Sequence, residues 1–249
     1  MTFVSPGPVL IDLGFVSLRW YGLLYALGFI AALSIAEKYL CPKDTTKEEL
    51  SNFFVYLLLF GLLGARLWFV LLNLDYYLAN PAEILQIWLG GQSIQGGIIG
   101  ACLGAWLMDR RHYLAKLSAA ATVVPLAQAI ARWGNFFNEE AYGSVTDLPW
   151  KLFVTHTGEY HHPCFLYESI WNLLVFAVLF KSYNQARPVR QISAYLILYS
   201  LGRLAIEQLR LDQILVWNTL SAGTLMAIVG MVVGLITLFV VKPAKSHHN

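Results

Sequence analysis

Several apolar stretches of close to 20 residues each constrain this sequence more than any other feature. About 20 apolar residues let a helix cross the hydrocarbon core of a bilayer. Only 13% of the 249 residues are charged, whereas an ordinary soluble domain carries about 25%. The sequence therefore predicts an all-α integral membrane protein, folded as a single membrane-embedded domain over residues 1–249.

About seven candidate transmembrane helices lie near residues 16–36, 52–73, 94–108, 118–133, 165–180, 192–209 and 220–241. The third and fourth are short and rich in Gly or Ala, which favours close packing.

The basic residues between these helices predict the orientation of the chain. Cytoplasmic loops of membrane proteins are enriched in Lys and Arg. On one side of the predicted helices lie 11 of the 17 basic residues. They are Lys38, Lys43, Lys47, Arg110, Arg111, Lys116, Lys181, Arg187, Arg190, Lys242 and Lys245. We therefore expect the N-terminus outside, the C-terminus in the cytoplasm and an outer-side loop region at about 134–164.

Charge, cysteine content and the N-terminal sequence exclude several other classes of protein. A formal charge of +2, without basic runs interleaved with aromatics, argues against a nucleic-acid partner. The three cysteines form no CxxC pair, so neither a disulfide framework nor a zinc site is predicted. The first apolar stretch has no basic segment before it and no small-residue cleavage site after it, so we expect no removable signal peptide. We expect no metal and no cofactor.

A dense polar cluster occupies residues 132–143, where the fourth apolar run ends. A guanidinium, two carboxamides and two carboxylates fall within nine residues, which indicates an organised polar site at the membrane face. These side chains belong to Arg132, Asn135, Asn138, Glu139 and Glu140. The alternative is a simple helix C-terminus, with Gly134 as the cap and asparagines that tolerate turn geometry.

The sixth predicted helix carries a polar face. At spacings of four, four and three residues it contains Tyr199, Arg203, Glu207 and Arg210. This spacing places all four on one side of a helix. Charged groups in apolar spans usually face a partner or a cavity, and arginine forks match phosphate oxygens. Together with Arg132, this face predicts an anion site. The alternative is a purely structural pair between Arg203 and Glu207.

Two adjacent histidines, His161 and His162, end the outer loop. They suggest a general base or a metal ligand, although no H-x3-H or HExxH spacing accompanies them. Cys164 is either a nucleophile or an ordinary buried thiol. Tyr167 and Glu168 follow in the first turn of the fifth predicted helix.

Two further segments give weaker signals. The glycine-bearing run at 90–100 indicates tight packing or a backbone-lined anion cradle, and the run at 19–25 is typical of an interfacial aromatic belt. Arg19 and Arg66 are either functional residues or side chains that snorkel at helix ends.

Taken in order, five segments resemble the prolipoprotein diacylglyceryl transferase family over nearly the whole chain. The family pattern contains W-Y-G, G-G-x-S-x-H-G-G, G-R-x-G-N-F-x-N-x-E-x-x-G, H-P-x-x-x-Y-E and R-x-x-x-E-x-x-R. The matching residues of this sequence are 20–22, 90–97, 131–143, 162–168 and 203–210.

The resemblance implies an enzyme of the bacterial cytoplasmic (inner) membrane. Such an enzyme moves the diacylglyceryl group of phosphatidylglycerol to the lipobox cysteine thiol of a preprolipoprotein, forming a thioether and releasing glycerol 1-phosphate. The implied partners are phosphatidylglycerol, the preprolipoprotein signal peptide and membrane lipids. The implied active cavity opens sideways to the bilayer near the outer leaflet.

The resemblance also implies roles for individual residues. Arg132 and Arg203 would hold the lipid phosphate, with assistance from Arg210, and His162 is the favoured base. Tyr21 would position the glyceryl group. The implied catalytic residues are His162, Arg132, Arg203, Glu140, Gln95 and Tyr21. The implied substrate-binding residues are Arg132, Asn135, Asn138, Gly143, Tyr167, Glu168, Arg203, Glu207, Arg210, Arg66, Gly96 and Gly97.

Two residues depart from the family pattern. Ala131 replaces the first glycine of the long signature, a change that should only tighten packing. Gln95 stands where the family commonly has histidine, and a carboxamide cannot take up a proton at neutral pH. Either His162, Glu140 or Glu207 supplies the base, or the chain is a catalytically impaired homologue. A transporter or lipid-binding protein that holds an anion without chemistry is the other alternative, although neither arginine motif has the second copy typical of repeat-built transporters.

Overall fold

The computed structural model describes residues 2–14, 17–87, 90–211, 213, 215–216 and 220–240. The chain divides into two compact units. The first unit comprises Met1–Leu40 and Leu117–Asn249, and the second comprises Cys41–Lys116.

Helices dominate the described chain. In chain order they are α1 (Trp20–Ile35) with a π-helical turn at Ala36–Leu40, α2 (Lys47–Leu72), α3 (Leu74–Ala79), a 3-10 turn at Pro81–Leu85, α4 (Ile94–Met108), α5 (Tyr113–Asn138), α6 (Cys164–Lys181), α7 (Pro188–Glu207) and α8 (Ala222–Val240). The strands are β1 (Phe3–Val4), β2 (Val9–Asp12), β3 (Ser17–Arg19), β4 (Leu152–Val154), β5 (Glu159–His161), β6 (Leu215–Val216) and β7 (Leu220–Ser221).

A helix is present at each of the seven predicted positions, and α4 has the predicted bounds. Among the described residues, five helices are long and apolar enough to cross a membrane. These are Trp20–Leu40, Lys47–Leu72, Tyr113–Asn138, Cys164–Lys181 and Ala222–Val240. The helix α4 has only 15 residues, and α7 carries a charged face. Seven spans therefore stay a prediction. Residues 16 and 241, at the ends of two predicted spans, and the basic residues Lys242 and Lys245 lie outside the described residues.

The helix α5 extends past its predicted end, and this overturns the interpretation of Gly134 as a helix cap. The helix continues to Asn138. Gly134 therefore lies inside it, where an added Cβ would sit 2.8 Å from Cδ2 of Tyr21. At Gly28, an added Cβ would sit 2.9 Å from the carbonyl oxygen of Ala127. The two glycines let α1 and α5 approach closely, so Gly134 is a packing residue.

Small β-sheets are the part of the fold that the all-α prediction missed. The strand β1 pairs parallel with β4, and β4 pairs antiparallel with β5. Antiparallel pairs also form between β2 and β3 and between β6 and β7. Strands of two to four residues are too short to show an alternating pattern in the sequence.

The sheet of β1, β4 and β5 is held on the ends of α5 and α6 by an apolar core. Its buried members are Phe136, Leu152, Val154 and Phe165. The rings of Phe136 and Phe165 lie 5.1 Å apart, centroid to centroid, and Phe3 packs edge-on against both. This core fixes the C-terminal end of α5 beside the N-terminal end of α6, where the predicted site residues cluster.

The second unit is built on a close glycine-mediated contact between α2 and α4, as the glycine content of the third predicted span indicated. A Cβ added to Gly64 would lie 2.4 Å from the carbonyl oxygen of Gly96. A Cβ added to Gly100 would lie 2.4 Å from the carbonyl oxygen of Phe60. Only glycine fits such approaches without a shift of the backbone. A capping box of Thr46 and Glu49 starts α2.

Candidate active site

A buried carboxylate joins the arginines of the two motifs. Glu168, on the second turn of α6, is 4% exposed. Its Oε2 lies 2.8 Å from Nε of Arg132 on α5, and its Oε1 accepts a hydrogen bond from Nη1 of Arg203 on α7. Nη1 of Arg210 lies 3.9 Å from the same Oε1. Three guanidinium groups from separate segments therefore meet at one side chain.

Glu207 completes this group on the α7 side. Its Oε2 lies 2.5 Å from Nη2 of Arg203, and its Oε1 accepts a hydrogen bond of 2.7 Å from Oγ of Ser221. An added Cβ at Gly223 would sit 2.4 Å from Oε1 of Glu207, so a larger residue there would displace this carboxylate. We call Arg132, Glu168, Arg203, Glu207 and Arg210 the arginine cluster. Three guanidiniums and two carboxylates give these five side chains a net charge of +1.

The polar signature after Arg132 splits into two parts. Oε1 of Glu140 accepts hydrogen bonds from Nδ2 of Asn135 at 2.7 Å and Nδ2 of Asn138 at 3.4 Å. Nη1 of Arg132 donates to Oδ1 of Asn135 at 3.4 Å, which links this group to the arginine cluster. Glu139 instead accepts hydrogen bonds from the backbone and hydroxyl groups of Thr155. Of the two carboxylates, only Glu140 lies on the arginine side.

Gly143 packs against two other segments of the chain, one at His162 and one at Leu209. Its N–H donates to the His162 carbonyl oxygen at 2.9 Å. An added Cβ would lie 2.8 Å from Cβ of His162 and 2.9 Å from the carbonyl oxygen of Leu209. Any larger residue would push apart the segments that carry His162 and Arg210, so these segments can pack together only if residue 143 is glycine.

The two histidines of the outer loop have different surroundings. His161 is 2% exposed, with Nδ1 2.8 Å from the Gly143 carbonyl oxygen and Nε2 3.0 Å from Oγ1 of Thr157. Both of its nitrogens therefore have protein partners. His162 is only half-buried, and its Nδ1 lies 3.2 Å from Oη of Tyr167. That hydroxyl also accepts a hydrogen bond of 2.9 Å from Nε1 of Trp150.

Two more predicted residues of the first unit, Tyr21 and Cys164, lie in close-packed surroundings. The ring of Tyr21 packs on Gly134 of α5, and its hydroxyl donates to Oη of Tyr25 at 3.0 Å. Cys164 is fully buried at the start of α6. The thiol therefore has the surroundings of an ordinary buried cysteine, as the second interpretation of this residue held.

The remaining predicted residues lie in the second unit. Arg66 is 7% exposed, and its guanidinium donates to the carbonyl oxygens of four residues. These are Glu83 at 2.6 Å, Ile84 at 2.9 Å, Gly90 at 2.7 Å and Gly91 at 2.9 Å. Its observed partners are thus main-chain oxygens, which does not fit the snorkelling interpretation.

Gln95 and the two glycines after it begin α4. Oε1 of Gln95 accepts a hydrogen bond of 2.5 Å from Oγ of Ser93. Gly96 and Gly97 face α2. A Cβ added to Gly96 would lie 2.3 Å from the carbonyl oxygen of Gly64, and one added to Gly97 would lie 3.5 Å from Cβ of Ala65. Helix packing therefore requires glycine at position 96, whereas a Cβ at position 97 would make an ordinary contact.

The arginine cluster borders a small cavity and a larger apolar groove. The cavity, of about 10 Å³, is lined by Arg132, Glu168, Trp171, Asn172, Tyr199, Gly202, Arg203 and Ile206. The groove, of about 330 Å³, lies between α6 and α7 and is lined by Tyr167, Ile170, Trp171, Leu174, Leu201, Gly202, Ala205 and Ile206. Trp171, Gly202 and Ile206 line both, so a polar recess and an apolar groove adjoin.

Sequence reasoning missed Trp171, Gly202 and Asn172. Nε1 of Trp171 donates to the Leu198 carbonyl oxygen at 2.9 Å, and an added Cβ at Gly202 would lie 2.0 Å from that nitrogen. The indole can lie across α7 only because residue 202 is glycine. The spacing of Glu168 and Asn172 was the one available signal, since residues four apart share a helix face.

The fold and the site define a multi-pass helical membrane protein with a buried cationic site beside an apolar groove. The sequence model of the family described as prolipoprotein diacylglyceryl transferase matches residues 8–240. Among similar proteins, those of Gloeobacter violaceus and Synechococcus elongatus are each 39% identical, over 95% and 96% of this chain and 93% and 88% of their own lengths. One from Thermotoga maritima is 41% identical over 87% of this chain and 78% of its own length. All three are named phosphatidylglycerol–prolipoprotein diacylglyceryl transferase.

This chain therefore belongs to the prolipoprotein diacylglyceryl transferase family. It is a transferase of lipoprotein biosynthesis.

Proposed function

We propose that this protein transfers the diacylglyceryl group of phosphatidylglycerol to the lipobox cysteine thiol of a preprolipoprotein. The observation that carries this proposal is the arginine cluster in a member of this family. In this cluster, three guanidinium groups surround the buried carboxylate of Glu168. The net positive charge of the cluster suits an anionic phosphodiester. Arginine supplies the planar donor pairs that match phosphate oxygens.

The reaction forms one bond and breaks one. The thiolate sulfur attacks a glyceryl carbon, the carbon–oxygen bond to phosphate breaks, and the phosphate oxygen keeps the electron pair. Negative charge grows on that oxygen in the transition state, where preorganised arginine donors lower the barrier most. The thiol proton passes to a base. The products are a thioether and glycerol 1-phosphate.

Glu168 acts in this proposal as a counter-ion that the lipid phosphate replaces. Its two carboxylate oxygens engage donors of Arg132 and Arg203, the donors that a phosphate held between these arginines would use. Glu168 keeps the guanidiniums oriented and their charge compensated while the site is empty. Glu207 continues to hold Arg203 after the exchange.

The groove between α6 and α7 is the proposed place for an acyl chain of the lipid. It is apolar, and it adjoins the recess that holds the arginines. A lipid with its phosphate on Arg132 and Arg203 would find an apolar surface beside its glyceryl group. The chain would exchange one apolar environment, the bilayer, for another, so the groove would orient the lipid through van der Waals packing.

His162 remains the proposed base, because Gln95 cannot accept a proton. For Nε2 of His162 to take a proton, Nδ1 must carry a hydrogen and donate it to Oη of Tyr167. That oxygen can also accept the hydrogen bond from Trp150. Glu140 and Glu207 are the alternatives.

The other assignments are proposed with the reaction. Asn135, Asn138, Glu140 and Gly143 shape the head-group pocket, and Tyr21 positions the glyceryl group. Tyr167, Gly96, Gly97 and Arg66 contribute to substrate binding, Arg66 through the backbone that it holds.

The membrane placement is part of the proposal. We propose one membrane-embedded domain of seven spans in the bacterial cytoplasmic membrane, with the N-terminus outside and the C-terminus in the cytoplasm. The arginine cluster would then open to the bilayer near the outer leaflet, where phosphatidylglycerol and a signal peptide are both accessible. The distribution of basic residues between the helices supports this orientation.

The deciding experiment uses the purified protein in detergent with phosphatidylglycerol and a lipobox peptide. Mass spectrometry of the cysteine should show the mass of a diacylglyceryl thioether, and glycerol 1-phosphate should accumulate in equal amount. Phosphatidylethanolamine should not serve as donor. Equal yield with both lipids would contradict the assignment of the head-group pocket.

Two outcomes would favour the alternatives. Turnover that appears only in Gln95→His protein would identify a catalytically impaired homologue. Saturable binding of phosphatidylglycerol without thioether in either protein would identify an anion- or lipid-binding protein that performs no chemistry.

A further inference from the structure

A buried carboxamide lies in the recess of the arginine cluster. Asn172 on α6 is 3% exposed and lines the small cavity together with Arg132, Glu168 and Arg203. Among the described residues, its Oδ1 has no hydrogen-bond partner. Buried polar atoms of proteins nearly always have one. An acceptor left open inside a ligand recess indicates that a donor arrives with the ligand.

The position of Asn172 narrows the kind of donor. It lies four residues after Glu168, so the same face of α6 presents the carboxylate to the arginines and then the carboxamide one turn further along. The cavity, at about 10 Å³, has room for one water-sized group. A hydroxyl fits this space and is neutral, whereas an ammonium group, although of similar size, would place a second positive charge beside the guanidiniums of Arg132 and Arg203.

We propose that Asn172 is a specificity-determining residue whose Oδ1 accepts a hydrogen bond from a hydroxyl of the lipid head group. This inference rests on the proposed function. Phosphatidylglycerol carries hydroxyls only on its head-group glycerol. Its phosphate and ester oxygens are acceptors, so they cannot donate a hydrogen bond to Oδ1 of Asn172. A site built to hydrogen-bond a hydroxyl rejects the analogue that lacks it, because the buried partner is then left unpaired.

The test pairs a change in the protein with a change in the lipid. The full-length protein in detergent, with a lipobox peptide, is given either dioleoyl phosphatidylglycerol or dioleoyl phosphatidylpropanol, which has the same phosphodiester and chains but no hydroxyl. Wild-type protein should prefer phosphatidylglycerol at least about tenfold in kcat/KM. Asn172→Leu, which keeps the branching and the number of heavy atoms of the side chain but removes the acceptor, should reduce this preference to about threefold or less by lowering kcat/KM for phosphatidylglycerol alone.

A merely structural role would give a different pattern. Asn172→Leu would then lower kcat/KM for both lipids by the same factor and preserve the preference, which would overturn the proposal. Gln128→Leu is the matched control, because Oε1 of Gln128 also lacks a partner among the described residues but does not line the cavity. It should leave the lipid preference unchanged, and an equal loss of preference in this variant would also overturn the proposal.

Two measurements keep the inference separable from the proposed function and from misfolding. Wild-type transfer from phosphatidylglycerol, without any preference over phosphatidylpropanol, would overturn the role of Asn172 and leave the proposed function standing. If Asn172→Leu does not purify, Asn172→Ala and lipid-dependent thermal unfolding replace it. Phosphatidylglycerol should then stabilise the wild type more than phosphatidylpropanol does, and the variant equally with both.

Discussion

At the scale of single residues, Arg132 shows why the shape of a cation matters as much as its charge. Its Nε and Nη1 engage different partners, Glu168 at 2.8 Å and Asn135 at 3.4 Å. Arg132→Lys keeps the charge but replaces this fork with one ammonium group, so we expect kcat/KM for thioether formation to fall about 100-fold. Arg187→Lys, in the loop before α7, is the control. Near-normal turnover in Arg132→Lys protein would show that only the charge is needed.

For Glu168 we predict a gain in apparent substrate affinity, whereas for Arg132 we predict a loss of kcat/KM. Because its carboxylate competes with the lipid phosphate for the same arginines, Glu168→Gln should lower the apparent KM for phosphatidylglycerol by about threefold or more. We expect kcat to fall in the same variant, since the guanidiniums are less well oriented. Glu207→Gln is the matched comparison and should raise the KM, because in this proposal Glu207 holds Arg203 without competing with the lipid phosphate. A raised KM in both variants would mean that the phosphate binds beside Glu168 and does not replace it.

The choice of base concerns His162 and Gln95. A free cysteine thiol has a pKa of about 8.5 and is only a few per cent ionised at pH 7, so a positioned base contributes about 100-fold or more. His162→Gln should lower the rate and flatten its dependence on pH, because a carboxamide cannot take up the thiol proton. Gln95→His should raise the neutral-pH rate or leave it unchanged.

The contrary result is equally informative. If His162→Gln has no effect while Gln95→Ala abolishes turnover, the carboxamide positions the substrate for a base elsewhere. Glu140 and Glu207 would be tested next.

At the scale of elements, the contact of α6 with α7 depends on one glycine. An added Cβ at Gly202 would lie 2.0 Å from Nε1 of Trp171, so Gly202→Ala must displace the indole that borders both the recess and the groove. Overpacking of this kind costs about 1–3 kcal/mol. We expect a lower unfolding midpoint and lower transfer activity. Gly61→Ala on α2 is the matched control, because its added Cβ would meet Ala101 at an ordinary 3.5 Å and should change neither.

At the scale of the whole molecule, the prediction concerns sidedness. The orientation set by the basic residues places Ser144 outside and Ser182 in the cytoplasm. After replacement of Cys41, Cys102 and Cys164, a cysteine at Ser144 should react with a membrane-impermeant thiol reagent in intact cells. A cysteine at Ser182 should react only after permeabilisation. The reverse pattern would invert the proposed topology.

The helices could be predicted from the sequence because the length of an apolar run is a local property. The bounds of α4 agree with the prediction for this reason. The end of α5 could not be predicted, because Gly134 followed by Asn135 has the local sequence signature of a helix cap. The packing of Tyr21 of α1 on Gly134, which explains the glycine, is a tertiary contact. The short strands were missed because two to four residues show no period, and only their pairing partners define them.

The sequence by itself determined the membrane composition, the positions of the helices and the residues from which a site could form, Arg132, Glu168 and Arg203 among them. Only the tertiary structure decided that Glu168 lies between the two arginines and that Trp171 rests on Gly202. It also decided that Oδ1 of Asn172 has no hydrogen-bond partner within the described part of the chain. These facts depend on how α5, α6 and α7 pack together. The spacing of residues along one helix sets which of them share a face, but the packing of neighbouring helices sets what that face meets.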